Sequence, residues 1–210
     1  MIDLGFLYRA PEQESYKAIF LIHGYGSSDN DLFQFTPHLP KDYHIYSLRG
    51  PYSLGFEQFA WYAIHFDENH KKFNDLNQAR SSLTAIKDFI DDKKEKLKLQ
   101  HIDIMGFSQG CILSLALSLN HPGYFKSVAG LSGYLNLEML KNAGAIEKQT
   151  TAFFLSHGIE DAVIPFTWAQ ETRDLLLKHN LNLEWHEYPS GHTVSYDNFK
   201  DLIAFLNIQV

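Results

Sequence analysis

His101-Ile102-Asp103-Ile104-Met105-Gly106-Phe107-Ser108-Gln109-Gly110 carries an apolar, β-branched run directly into the helical pattern that begins at Gln109. The flanking glycines allow a turn too tight for side chains and leave the Ser108 hydroxyl exposed on a sharp bend at a helix N-terminus. Free N–H groups and the helix dipole there favour the negative charge that develops during acyl transfer. The bare G-x-S-x-G pattern is weak, since a chain this long matches it by chance roughly one time in twenty. The alternative is a capping serine on a Gly-rich turn. Position decides between them, because the match falls where strand gives way to helix.

Outward from this turn, short apolar runs alternate with longer stretches of helical period. Strands are expected at Asp3–Tyr8, Lys17–Ile22, Tyr43–Leu48, His101–Met105, Lys126–Leu131, Ala152–Ser156 and Leu183–Tyr188. Several are apolar on both faces, as in Ala18-Ile19-Phe20-Leu21-Ile22, which suits parallel strands covered on both sides. Leu76, Ala79, Leu83, Ile86 and Ile90 recur at helical steps, so Asn74 to about Leu97 reads as an amphipathic helix. Its charged end, Asp91 to Lys96, reads as a solvated face with i,i+4 pairs. Further helices are expected at Gln109–Leu119, Thr167–His179 and Tyr196–Leu206. Such alternation implies a single α/β domain over residues 1–210, with a mainly parallel central sheet flanked by helices on both faces. Ligands then sit at the carboxyl ends of the strands.

Composition agrees. The 210 residues are 45% hydrophobic and 20% charged, close to the soluble globular average. Eighteen Lys+Arg against 25 Asp+Glu give a net charge of -7, and no basic stripe is present to neutralise phosphates, so no nucleic-acid partner is expected. Cys111 is the single cysteine, which excludes an internal disulfide framework. No apolar run approaches the 18 or so residues that span a bilayer, and the first residues carry no signal-peptide pattern. The expected compartment is the cytoplasm, without integral membrane association.

A serine hydroxyl needs a neutral imidazole to take its proton, and that imidazole needs a carboxylate to set its tautomer. In a strand-elbow hydrolase the chain order is Ser, then acid, then His. After Ala152–Ser156 come two competing acids, Glu160 and Asp161. Asp161 is preferred because a short carboxylate on a turn closed by Val163-Ile164-Pro165 is held rigidly. After the last strand, Tyr188-Pro189-Ser190-Gly191-His192 places His192 in a loop, whereas His186 lies within the strand and His179 at a helix end. The expected triad is therefore Ser108, Asp161 and His192.

The developing oxyanion needs donors as well. Backbone N–H groups of Gln109, after the nucleophile, and of Tyr25, in the loop His23-Gly24-Tyr25-Gly26, are the candidates. His23 reads as a structural imidazole bonded to its own loop. The aromatic stretch with Phe56, Phe59, Trp61, Tyr62 and Phe66 either lines a pocket or packs over the sheet. No His-x-x-x-His or paired-carboxylate spacing stands at the strand ends, so no metal site is expected. The connection Ser132–Thr151 is too short for a large lid domain.

Together Leu21-Ile22-His23-Gly24-Tyr25-Gly26, Arg49-Gly50-Pro51, Ala60-Trp61-Tyr62, Gly106-Phe107-Ser108-Gln109-Gly110, Leu131-Ser132-Gly133-Tyr134, His157-Gly158-x-x-Asp161-x-Val163-Ile164-Pro165 and Gly191-His192 resemble the phospholipase/carboxylesterase family of α/β-hydrolases. The resemblance implies the α/β-hydrolase fold and a serine esterase with no metal or organic cofactor, acting on a small-molecule ester or thioester. It carries over the same triad and oxyanion donors and sets Trp61 and Ile164 beside the substrate. Cys111 stands where the family usually has a second elbow glycine, a change expected to tighten helix-to-sheet packing. Short to medium acyl chains are the expected substrates, with long-chain acyl-protein thioesterase or lysophospholipase activity as the rival. A non-catalytic binder with the same fold is a third reading. An apolar pocket rim can double as a dimer face, so a homodimer is compatible with the chain.

Overall fold

The computed structural model describes residues 2–66, 72–142, 146 and 148–208. Among the described residues are eleven strands: β1 (Phe6–Arg9), β2 (Lys17–Ile22), β3 (His44–Leu48), β4 (Tyr52–Gly55), β5 (Gln58–Ala60), β6 (Ile64–Phe66), β7 (Lys72–Asn74), β8 (His101–Phe107), β9 (Ser127–Leu131), β10 (Ala152–Gly158) and β11 (Asn182–Tyr188). The helices are α1 (Asn30–Phe33), α2 (Leu76–Leu97), α3 (Gln109–Asn120), α4 (Phe166–Lys178) and α5 (Tyr196–Ile208).

Seven strands form the central sheet in the order β1-β3-β2-β8-β9-β10-β11. Only β1 runs antiparallel to its neighbour, and the other pairings are parallel. The period-2 alternation of a strand sorts its residues to the two faces. Ala18, Phe20 and Ile22 of β2 join one core with Ile86 and Ile90 of α2, much of α3 and Leu176 of α4. Ile19 and Leu21 join the other with Leu32 of α1 and Leu202, Phe205 and Leu206 of α5. The sheet is thus covered on both faces, as its doubly apolar strands require.

All seven expected sheet strands and four expected helices are present, with ends moved by a few residues. Asp75 caps α2 by accepting the Gln78 N–H at 3.0 Å, so the helix starts two residues later than periodicity suggests. On its charged end Lys87 pairs with Asp91 and Lys96 with Asp92 at i,i+4 spacing. The aromatic stretch departs from expectation, forming two small antiparallel hairpins, β4–β5 and β6–β7, outside the main sheet. Of its aromatics, the Phe66 side chain lies outside the described residues.

β8, the strand that leads to Ser108, is the middle one of the seven. Loops after β2, β8, β10 and β11 therefore meet above the sheet centre.

Candidate active site

Between β8 and α3 the backbone of Ser108 adopts φ 53° and ψ −115°, a conformation that side-chain-bearing residues rarely take. Its N–H donates to Leu131 O at 2.9 Å and its carbonyl accepts from Ile112 N–H at 3.1 Å, so strand and helix both hold the bend. The flanking glycines have no room for a side chain. A Cβ on Gly106 would lie 2.2 Å from Gly110 O, and one on Gly110 would lie 1.9 Å from Ile22 O. One position on, the Cys111 side chain is wedged against Gly130 and Gly133, where added Cβ atoms would meet its sulfur at 2.8 and 2.6 Å. Burial pushes the Cys111 thiol strongly upward, so it stays protonated.

The turn after β10 carries Asp161. Its Oδ1 accepts the N–H groups of Val163 and Ile164 at 2.8 and 2.9 Å. Its Oδ2 accepts from His192 Nδ1 at 2.7 Å, and His192 Nε2 lies 2.9 Å from Ser108 Oγ. Burial pushes the Asp161 carboxyl up, but hydrogen bonds from Ile164 N–H, His192 and Val163 N–H outweigh it and hold the group below the usual carboxylate range. The loops bearing Asp161 and His192 are also tied together, because Ile159 N–H donates to Tyr188 O and Glu160 N–H to Ser190 O. Glu160, the competing acid, is exposed.

On the other side of Ser108 is the loop after β2. His23 is fully buried, with Nδ1 2.6 Å from Gly24 O and Nε2 2.9 Å from the Gly50 nitrogen. Since Gly50 N–H can only donate, Nε2 must accept and the proton must sit on Nδ1. Burial lowers the affinity of this imidazole for a second proton, which keeps the arrangement neutral. The bond to Gly24 O turns that carbonyl back toward the ring. In a trans peptide the Tyr25 N–H then points the opposite way. Gln109 is the first residue of α3, so its N–H has no intrahelical partner.

Trp61 departs from expectation. Its side chain is fully buried; the indole N–H donates to His23 O at 2.9 Å, and the Trp61 backbone N–H donates to Gln109 Oε1 at 2.8 Å. Gln109 Nε2 donates to Tyr62 O at 2.8 Å, which clamps this segment from the helix side. Trp61 is a strut behind the His23 loop and does not line the hollow beside Ser108. That hollow, about 170 Å³, is bounded by Tyr25, Tyr62, Ile64, Tyr134, Val163 and Ile164. Periodicity does not single out Tyr62, Ile64 and Tyr134 as lining, since the first two follow the course of the small hairpins and Tyr134 lies in the loop after β9. An Asn74 Nδ2 to Tyr134 OH hydrogen bond of 3.3 Å lies between this hollow and a larger apolar cavity of about 710 Å³. Among the described residues no group of three or more His, Cys, Asp or Glu could hold a metal ion, and no helix is long and apolar enough to cross a membrane.

Several known proteins share this architecture. Acyl-protein thioesterase 1 of Yarrowia lipolytica is 25% identical over 214 residues, covering 94% of each chain. The crystal structure of esterase PE8 superposes with a TM-score of 0.87 at 24% identity, covering 100% of both chains. That of the Bacillus cereus carboxylesterase superposes with a TM-score of 0.83 at 15% identity over 99% of this chain and 95% of the other. The phospholipase/carboxylesterase family model matches residues 7–210. With nearly the whole chain matched and the mainly parallel, helix-covered sheet in place, this protein belongs to the phospholipase/carboxylesterase family of α/β-hydrolases.

Proposed function

We propose that the protein hydrolyses carboxylic esters through an acyl-enzyme, with Ser108 as nucleophile, His192 as general base and acid, and Asp161 as the carboxylate that orients His192. The observation that carries this reading is the unbroken relay from Ser108 Oγ to His192 at 2.9 Å and from His192 to Asp161 at 2.7 Å. His192 Nε2 takes the hydroxyl proton as Oγ attacks the acyl carbon. The N–H groups of Tyr25 and Gln109 hold the oxyanion of the tetrahedral intermediate. His192 then protonates the leaving alcohol or thiol, and the acyl-enzyme forms. Water, deprotonated by the same imidazole, releases the acid and restores Ser108.

The hollow beside Ser108 is small, about 170 Å³ against about 710 Å³ for the neighbouring cavity, which supports a short acyl group. A second reading, hydrolysis of long-chain acyl thioesters, draws on the neighbouring cavity of about 710 Å³ beyond Asn74 and Tyr134 and on the thioesterase names of relatives. Steady-state hydrolysis of p-nitrophenyl esters and acyl thioesters of rising chain length separates the two. Rates that peak at short chains support the first reading, and a peak at long thioesters supports the second. A fluorophosphonate probe tests the nucleophile: it labels the parent at Ser108 and leaves Ser108→Ala unlabelled. Labelling that persists in Ser108→Ala, or failure to label the folded parent, overturns the proposal.

A further inference from the structure

A third imidazole lies behind the acid, in a position that none of the roles above uses. His157, in β10, is fully buried. Its Nε2 is hydrogen-bonded to Ile164 O at 3.0 Å and lies 3.2 Å from Asp161 Oδ2, the oxygen that accepts from His192. Both neighbours of Nε2 are acceptors, so the proton must be there. Nδ1 is then a bare acceptor, and it has no hydrogen-bond partner among the described residues. Burial lowers the affinity of the ring for a second proton.

We propose that His157 is a positioning residue for the reaction: its Nε2–H pins the 161–164 turn through Ile164 O and sets its dipole beside Asp161 Oδ2, the oxygen bonded to His192. This inference rests on the Ser108–His192–Asp161 reading and extends it inward by one residue. The energetics run against a space-filling role. A buried imidazole with one orphaned nitrogen is a poor filler, and an apolar side chain of like volume would carry no such cost. What an apolar side chain cannot supply is an N–H that bonds Ile164 O and faces the carboxylate. Asp161 accepts three hydrogen bonds, two from backbone N–H groups on Oδ1 and one from His192 on Oδ2, and the His157 Nε2–H lies beside Oδ2 at 3.2 Å. A carboxylate so surrounded keeps its charge and a single orientation. The positive end of the His157 N–H dipole, 3.2 Å from Oδ2, also tempers the pull of Asp161 on the His192 proton. Other charged groups are more remote: Glu160 is exposed on the same turn, and Asp31 lines a hollow with Phe107 on another side of His192.

The test uses His157→Phe, which removes the donor, and His157→Gln, whose amide nitrogen can occupy the place of Nε2. In His157→Phe, kcat for p-nitrophenyl acetate falls on the order of tenfold with KM within about twofold. The acid limb of kcat/KM moves up by about half a pH unit, because the less compensated carboxylate makes His192 more basic. His157→Gln recovers kcat to within about threefold and returns the acid limb. Unchanged kcat and an acid limb that stays or moves down in His157→Phe overturn the proposal, as does a Gln variant no better than Phe. Should His157→Phe fail to fold, nitrogen-15 NMR of the parent decides. A neutral His157 with its proton on Nε2 from about pH 5 to about pH 8 supports the proposal, and the other tautomer or an imidazolium overturns it. Ser108→Ala at parental activity would instead defeat the triad reading itself, so the two failures are distinguishable.

Discussion

Replacing Asp161 by Asn changes one atom, and the surrounding donors dictate how the amide must lie. Val163 and Ile164 N–H groups converge on Oδ1 at 2.8 and 2.9 Å, so the amide oxygen has to take that place. The NH2 group then occupies the Oδ2 position, facing His192 Nδ1 at 2.7 Å and His157 Nε2 at 3.2 Å. His192 can meet a donor only by accepting at Nδ1, which moves its proton to Nε2, 2.9 Å from Ser108 Oγ. In that tautomer it is no base for the serine. Turning the amide over would restore the tautomer but would set the NH2 group against two backbone N–H donors. Losing those two bonds costs about 1–3 kcal/mol each, or roughly 2–6 kcal/mol together. At about 1.4 kcal/mol per tenfold, the productive arrangement is depleted by roughly 30-fold to 10⁴-fold. The lost charge beside the imidazolium adds to this, so Asp161→Asn is expected to lower kcat by about 10³–10⁴, comparable with the like change in a serine protease triad. Initial-rate hydrolysis of p-nitrophenyl acetate, with circular dichroism to verify folding, is the assay. Glu160→Gln is the control and stays within about twofold of the parent, as its side chain is exposed. A folded Asp161→Asn protein within tenfold of parental kcat would refute the reasoning.

Other perturbations probe the scaffold. His23→Leu frees Gly24 O and with it the direction of the Tyr25 N–H, so kcat falls on the order of 10²-fold in the ester assay, with KM much less affected. Gly110→Ala drives a Cβ to 1.9 Å from Ile22 O, and urea unfolding should show a loss of more than about 3 kcal/mol. Cys111, buried and with its thiol held protonated, reacts with Ellman's reagent only after denaturation; rapid reaction in the folded protein would contradict the packing. His23 and His157 have lowered proton affinities when folded, so below about pH 6.5 the unfolded chain binds more protons than the native one. The urea midpoint is full above that value and declines as pH falls through about 6 toward 5; a flat midpoint over this window would show the rings are not buried neutral.

Much of this molecule is legible in its sequence because two signals agree. Doubly apolar strands such as Ala18–Ile22 require a covered sheet, and the Gly-x-Ser-x-Gly turn requires a strand before it and a helix after it. Once the sheet is parallel, residues just after strands share one edge, which is how Ser108, Asp161 and His192 are found although 53 and 31 positions separate successive members. Directions within irregular chain are harder to read. Trp61 and Tyr62 are adjacent aromatics buried in the same core, yet Tyr62 also borders the hollow and Trp61 does not. That outcome depends on the side-chain amide of Gln109 clamping their backbone from 47 and 48 residues away. Periodicity has no term for such a contact. His157 was in plain view four residues before the acid, but a histidine inside an apolar strand looks like any satisfied core imidazole until its nitrogens are located.

The unusual backbone of Ser108 makes catalysis a gauge of native packing. That torsion is maintained by a strand on one side, a helix on the other and Leu131 O from the neighbouring strand. A partly loosened state that keeps its helices and strands but lets them slide would relax the serine into an ordinary conformation. Hydrolysis should then vanish at denaturant concentrations where far-ultraviolet dichroism is still undisturbed, so turnover reports the tightness of the interior rather than the amount of secondary structure.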